Sequence, residues 1–352
     1  MKSKIWLMEG LSSQKDIIQG IKAFADQLKC RITVFASHRN ERNEILSVAD
    51  HSLIEPKDAE KRLEFILDTV ALHGINAIHT GRNSLWFEEN RAAIEASGAT
   101  LTTGATGADW LTLSEEKVAF SQFMEQNSLP VVPSWRVTTL SELKDYLASP
   151  PFSDSPVCVK PVTGIYGIGF WRFDDTASSM ALFNHPENRV VNSQQYLAAA
   201  DASESFTPLV LMPYLPGPEY SVDILADKGE ILAAVGRRKE GPVQYLEHEG
   251  EAFELACACA RAMKADGLVN VQTRNNHHGK PVLLETNMRP SGGIGYTRHS
   301  GVNLPGLFAA YQLGLMSKND VIENAKSSFS PAAVRSITDV ILYPEQLTNR
   351  LN

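Results

Sequence analysis

The sequence predicts a mixed α/β and α+β protein in which a parallel-sheet domain precedes a strand-rich region. Two observations carry this. Across residues 1–108, short apolar runs alternate with amphipathic stretches, the β–α order that builds a parallel sheet with helices on its faces. Beyond residue 108 the informative segments are strand–turn–strand units with Gly or Pro at the turns. At 352 residues and 43% hydrophobic, the chain can bury a large core and divide into two or three domains.

The first domain reads in order as a strand KIWLMEG, an amphipathic helix QKDIIQGIKAFADQLK and a second strand RITVFAS. ILSVADHSLIEP and a helix through KRLEFILDTVALHG follow, then NAIHTG, NRAAIEASG and ATLTTG. The loop Glu9–Ser13 holds one glycine and no GxGxxG, so a nicotinamide-dependent oxidoreductase lacks its fingerprint. His38, Arg39, Arg82 and Asn83 lie just past strand ends, where open α/β sheets bind ligands, and Arg82 is the substrate candidate among them.

Four motifs follow. SEEKVAFSQFMEQNSLPVVPSW reads as a helix with Ser114 at its N-cap, acids in its first turn and an apolar stripe of Phe120, Phe123 and Met124. PVCVKPVTGIYGIGFWRF is a strand ending at Lys160, a glycine-rich loop and a second strand. Gly164 and Gly167, with Gly169, free the backbone for close approach to phosphate, and Lys160 supplies a point charge. PLVLMPYLPGPEYSVDIL is a buried strand, a proline-stiffened hinge and an alternating strand. ILAAVGRRKEGP then runs as a strand into three basic residues, of which Arg237 or Arg238 is a candidate for a substrate carboxylate or acyl phosphate, with a solvated turn the alternative.

The fourth motif is VNVQTRNNHHGKPVLLETNMRPSGG. A hairpin centred on His278–Gly279 keeps paired residue numbers summing to 557, so Gln272 falls opposite Glu285. Asn287 shares the Glu285 face by the period of two. One carboxylate and two amide oxygens on one face suit a hard divalent cation. Val269, Val271, Val282 and Leu284 are expected to pack on the other side of the sheet or to continue its core.

In order, these motifs resemble the ATP-grasp superfamily, the hairpin being most similar to carbamoyl-phosphate synthase large-chain modules and D-alanine–D-alanine ligase. The resemblance implies a Rossmann-like pre-ATP-grasp domain over residues 1–108, an ATP-grasp N-terminal lobe over 109–195 and a C-terminal lobe with the metal site over 196–352. It further implies that Gln272, Glu285 and Asn287 hold two Mg²⁺, with Mn²⁺ an alternative, against the phosphates of ATP. Lys117 would contact the α- and β-phosphates and Lys160 the α-phosphate and adenine side. Pro213, Tyr214 and Leu215 would meet the adenine edge through their backbone, and Glu219 would hold the ribose. Met212 stands where the family commonly has Glu or Gln. Arg289 would face the transferring phosphate or the substrate, and Arg298 with Ser291–Gly293 the acceptor pocket. The implied activity is an ATP-dependent, ADP-forming carboxylate–amine ligase that activates a small acid as an acyl phosphate. A small-acid kinase and a non-catalytic ATP sensor are the alternatives.

Composition excludes other classes. Net charge is −8 and no Lys/Arg run tracks a nucleic-acid backbone. No stretch of 18 apolar residues spans a membrane, and the N-terminus is too soon polar for a signal peptide. Cys30, Cys158, Cys257 and Cys259 read as reduced buried thiols of a cytoplasmic protein. The expected partners are small-molecule acid and amine substrates and a second copy of the chain.

Overall fold

The computed structural model describes residues 3–11, 13–152, 155–162 and 168–336. They build three sheets in chain order. The first is parallel throughout: β1 (Ser3–Met8), β2 (Ile32–His38), β3 (His51–Ile54), β4 (Ala77–Thr80) and β5 (Thr100–Thr102), ordered β3-β2-β1-β4-β5. Strands buried on both faces need near-continuous apolar runs, which KIWLM and ITVFA supply. The order reverses between β1 and β4, so the ligand crevice of such a sheet opens past Met8 and Thr80.

The second sheet holds β6 (Trp135–Val137), β7 (Val157–Pro161), β8 (Trp171–Phe173), β9 (Val190–Val191) and β10 (Leu209–Pro213), in the order β6-β10-β7-β8-β9. β10 pairs antiparallel with both β6 and β7. The expected lobe boundary at 195/196 places residues 209–213 in the next lobe, whereas their ladder belongs to this sheet. A buried apolar strand pairs wherever an edge is open, and that choice is non-local.

The third sheet is antiparallel: β11 (Glu219–Asp227), β12 (Glu230–Glu240), β13 (Val243–Glu247), β14 (Gly267–Asn275), β15 (Pro281–Asn287) and β16 (Ala332–Arg335), ordered β15-β14-β11-β12-β13-β16. One face packs Val222, Ile224, Val269, Val271 and Leu283 under the helix Glu251–Ala262. The opposite face divides. At one end Leu225, Val235 and Leu268 join a core with the helices Gln14–Gln27 and Leu304–Gln312, tying this sheet to the first domain. At the other end the face is polar, and there the site lies.

Two local expectations differ. Ser114 does not cap the motif helix. It sits inside the helix Ala108–Glu115 with its hydroxyl donating to Leu111 O, and Glu116 caps the next helix, Lys117–Gln126, accepting from Val118 N and Ala119 N. A carboxylate takes two orphan amides at once and favours the positive end of the helix dipole, so the break falls there. Nor does GRRKE turn, because β12 continues through Glu240. No helix among the described residues is long and apolar enough to cross a membrane.

Candidate functional site

The hairpin of β14 and β15 supplies the centre. Asn270 pairs with Asn287, Val271 with Thr286 and Gln272 with Glu285, the register expected from sequence. Nearer the turn the pairing changes to Thr273–Leu283 and Asn275–Pro281, and Asn276 N donates to Lys280 O. The hairpin is thus centred one half-step from His278–Gly279, and Leu284 is an extra residue on β15. This β-bulge inverts the side-chain phase along the strand. Val282 and Leu284, expected on the far side, lie on the same side as Glu285 and join an apolar group with Val132, Cys158, Val162 and Met212. The bulge therefore places an apolar wall and the oxygen-bearing side chains on one face of one strand.

That apolar group is the seam between the second and third sheets. Leu215 and Tyr214, past the end of β10, belong to it with Val118 and Phe170. Tyr214 N donates to Pro156 O at 2.7 Å, and its ring lies under two guanidinium groups, Arg172 at 4.9 Å and Arg274 at 5.8 Å. Met212 is buried in the sheet, with the Cys158 thiol donating to its carbonyl. Burial pushes that thiol up to about 12, an unreactive state.

Cations face the hairpin from the second sheet. Lys160 Nζ stands 3.7 Å from Glu285 Oε2, with side chains 13% and 33% exposed. Lys117, at the start of its helix, donates from Nζ to Val162 O at 2.9 Å. Burial first, then the charge of Lys160, holds the Lys117 ammonium below the ordinary lysine range. Two lysines thus converge on the Glu285 side. Asn287 Nδ2 lies 3.4 Å from Glu285 Oε1, which turns its carbonyl oxygen away from the carboxylate. Glu219 pairs with Lys239 at 2.5 Å and stands across from Arg274 on β14.

Arg237 lies at the heart of the polar face. Its Nε donates to Asp223 Oδ2 at 2.7 Å, Nη1 to Gln244 Oε1 at 2.7 Å, and Nη2 to Ser221 Oγ at 2.9 Å and Ser291 Oγ at 2.8 Å. Asn270 Nδ2 closes the network onto Asp223 Oδ1 at 3.0 Å. Gly293 lies so close that a Cβ there would stand 2.4 Å from Arg237 Nη1. The guanidinium is therefore engaged on every nitrogen, and it fixes the Ser291–Gly293 loop. Arg289 Nη1 donates to Pro290 O at 3.3 Å. Arg298 is exposed on the turn Ile294–Ser300, where its charge reaches the half-buried Asp16 of the first helix. Gly164 and Gly167 lie outside the described residues.

In the first domain, Arg82 is exposed past β4, and its neighbour Asn83 donates to Glu9 Oε2 at 3.0 Å. Glu9 is buried. Burial works against its charge, yet the Arg39 Nε bond at 2.6 Å holds it below the usual carboxylate range. Of these groups the hairpin, Lys160 and Lys117 come together, while Arg82 and Arg298 belong to the first-domain side. Sequence reading passed over Asn270, Arg274, Asp223 and Arg172. The first two share the Gln272 face by the period of two, a signal already present; the others require knowing which strands adjoin.

Comparison with known proteins supports the same architecture. Residues 205–340 match the family described as ATP-grasp in the biosynthetic pathway with Ter operon. The carbamoyl phosphate synthase large chain of Thermomicrobium roseum is 26% identical over 286 residues, 72% of this chain and 24% of that one, so the chain spans about a quarter of the length of this relative. Among solved structures, the L-amino acid ligase of Bacillus licheniformis superposes with a TM-score of 0.64 at 15% identity, covering 94% of this chain and 79% of that one. The carboxyaminoimidazole ribonucleotide synthase of Aspergillus clavatus, complexed with ATP, gives 0.63 at 16% identity over 91% and 79%. The chain shares the fold of these two enzymes, and residues 205–340 are the segment matched to the ATP-grasp family.

Proposed function

We propose that the protein is an ATP-dependent carboxylate–amine ligase that activates a small acid as an acyl phosphate and releases ADP and phosphate. The observation that carries this reading is the meeting of Lys160 and Glu285 at 3.7 Å across the seam, beside the apolar wall of Val282, Leu284 and Leu215. Flat apolar walls suit a base, and cations with oxygen donors beside them suit its phosphates. The superposition on an ATP complex and on an amino acid ligase supports it.

The donor set fits a hard cation: one carboxylate directly opposite one amide, with a second amide two residues on. Gln272, Glu285 and Asn287 would hold Mg²⁺, which when bound neutralises phosphate charge. Lys160 and Lys117 would bind and orient the triphosphate, so that most of the rate gain is positioning and electrostatic. The acid's carboxylate oxygen attacks the γ-phosphorus and ADP leaves. The amine nitrogen then attacks the carbonyl carbon, phosphate departs with the C–O electron pair, and the nitrogen loses a proton. Pro213, Tyr214 and Leu215 would meet the base and Glu219 the ribose, with Arg289, Arg298 and Arg82 toward the acceptor. We place the enzyme in the cytoplasm, in keeping with four free cysteines, and expect it to act as a homodimer.

Pooled carboxylic and amino acids screened for ATP-dependent phosphate release, with hydroxylamine present, test the reading. Hydroxamate formation is the expected result. Phosphorylated product without hydroxamate would make the protein a small-acid kinase, and turnover at background with every pool would leave an ATP-binding sensor.

A further inference from the structure

At the crevice where the first sheet reverses its strand order, a cavity of about 20 Å³ is lined by Leu7, Met8, Leu11, Ile17, Gly81 and Pro290, among others. Its wall is almost wholly apolar. Gln14, on the same wall, turns its amide onto Leu7 O at 2.8 Å, and the His79 ring holds Nδ1 3.0 Å from Thr102 Oγ1. The other polar atoms of those side chains, Gln14 Oε1 and His79 Nε2, are buried out of reach of a guest. A water needs two or more polar partners and finds almost none here, so the space suits an apolar group of about one or two carbons. Of the lining residues only Leu11 and Gly81 are half-buried; the rest are buried. The mouth therefore lies between the loop after β1 and the loop after β4.

A cation stands at that mouth. Arg82 follows Gly81 directly, is exposed, and makes no hydrogen bond or ion pair among the described residues. Its backbone is fixed on both sides. A Cβ on Gly81 would stand 2.7 Å from Gly10 Cα, so the two loops touch there. Asn83 is left-handed, with φ 55°, and its side chain donates to Glu9 Oε2 at 3.0 Å. Glu9, itself at φ 49°, is paired with Arg39 at 2.6 Å, which leaves the Arg82 charge uncompensated. Residues held in such conformations cluster at ligand sites. The Arg82 charge also reaches His38, the last residue of β2, which keeps the guanidinium near the strand ends. We infer that this crevice holds a short, unbranched aliphatic carboxylate, its tail in the cavity and its carboxylate on Arg82. That this acid is the one activated in the ligation rests on the function proposed above; the binding itself does not.

The experiment is a titration of the full chain, labelled with ¹³C at the isoleucine δ1 methyls, with sodium propionate against sodium chloride at equal ionic strength. The Ile17 methyl resonance is read with and without MgADP. A saturable shift is expected. Formate, with no carbon to bury, should need about tenfold more for the same shift. Propionamide, of the same shape without the charge, should also need about tenfold more. Branched pivalate should not enter. Arg82→Ala should weaken propionate about tenfold and leave propionamide unchanged. Leu11→Phe, which narrows the mouth, should abolish the propionate shift. No saturable shift with propionate, with MgADP or without it, makes the cavity a packing void and overturns the proposal. So does formate binding as tightly as propionate, which means a plain anion site. Propionamide binding equally well, or a propionate midpoint unmoved in Arg82→Ala, removes the carboxylate from Arg82 and overturns it too. No turnover is read, so hydroxamate formation without propionate binding would leave the ligase reading standing and this one refuted.

Discussion

Two ion pairs on the polar face of the third sheet are built in opposite ways. Arg237 and Asp223 meet at 2.7 Å with side chains 3% and 0% exposed, and all three guanidinium nitrogens are hydrogen-bonded. Lys160 and Glu285 stand at 3.7 Å across two sheets, and a third of the carboxylate side chain remains open. A saturated buried pair holds backbone in place and has nothing left for a ligand. A loose, half-open pair costs less desolvation and keeps lone pairs available. The first is scaffold; the second is where chemistry can occur.

The sharpest way to break this comparison is at the saturated pair. Asp223→Ala leaves a buried guanidinium without its carboxylate and should lower unfolding free energy by about 3–5 kcal/mol in urea titration. A loss below about 1 kcal/mol would mean that the network does not hold the sheet. At the loose pair the expectation reverses. Glu285→Ala should change stability by less than about 1 kcal/mol, yet lower Mg²⁺-dependent ATP turnover by about 100-fold or more, some 2.7 kcal/mol of barrier. Normal turnover in that variant removes the site assignment.

A third carboxylate sharpens the contrast. Asp266 is buried like Asp223 but has no hydrogen-bonded cation among the described residues, and burial raises its pKa from 3.8 to about 6. Between those values the folded state keeps the proton that the unfolded chain releases. Stability from this group is therefore present below about pH 4 and lost as pH rises through 6. Asp266→Asn, which keeps the oxygen accepting from Lys228 N, should raise stability at pH 8 by about 1–3 kcal/mol and leave it nearly unchanged at pH 4, read by urea unfolding at both. The smallest effect belongs to Arg298, exposed on its turn. Arg298→Ala should shift stability by no more than about 0.5 kcal/mol, while any effect on the KM for the acceptor marks it as a pocket residue.

How much of the site was legible can be read from particular residues. The pairing of Gln272 with Glu285 followed from alternation and turn position alone. It holds because the bulge at Leu284 compensates for a turn centred differently from the expected one. Sequence periodicity contains no sign of that bulge, so it could not show that Val282 and Leu284 join an apolar core on the Glu285 side. Arg237 was legible as a basic residue at a strand end, but not as a fully bonded one. Its partners come from β11, β13 and the loop after β15, which are far apart in the chain.

By itself, then, the sequence determined the strand and helix succession, the parallel first sheet and the opposition of Gln272 to Glu285. Those are set by local periodicity, turn chemistry and side-chain type. Only the tertiary structure decided that β10 joins the second sheet, that Glu116 rather than Ser114 starts the helix carrying Lys117, and that Lys160 reaches Glu285. Each depends on contacts between segments distant in sequence, where burial and available hydrogen-bond partners outweigh local preference.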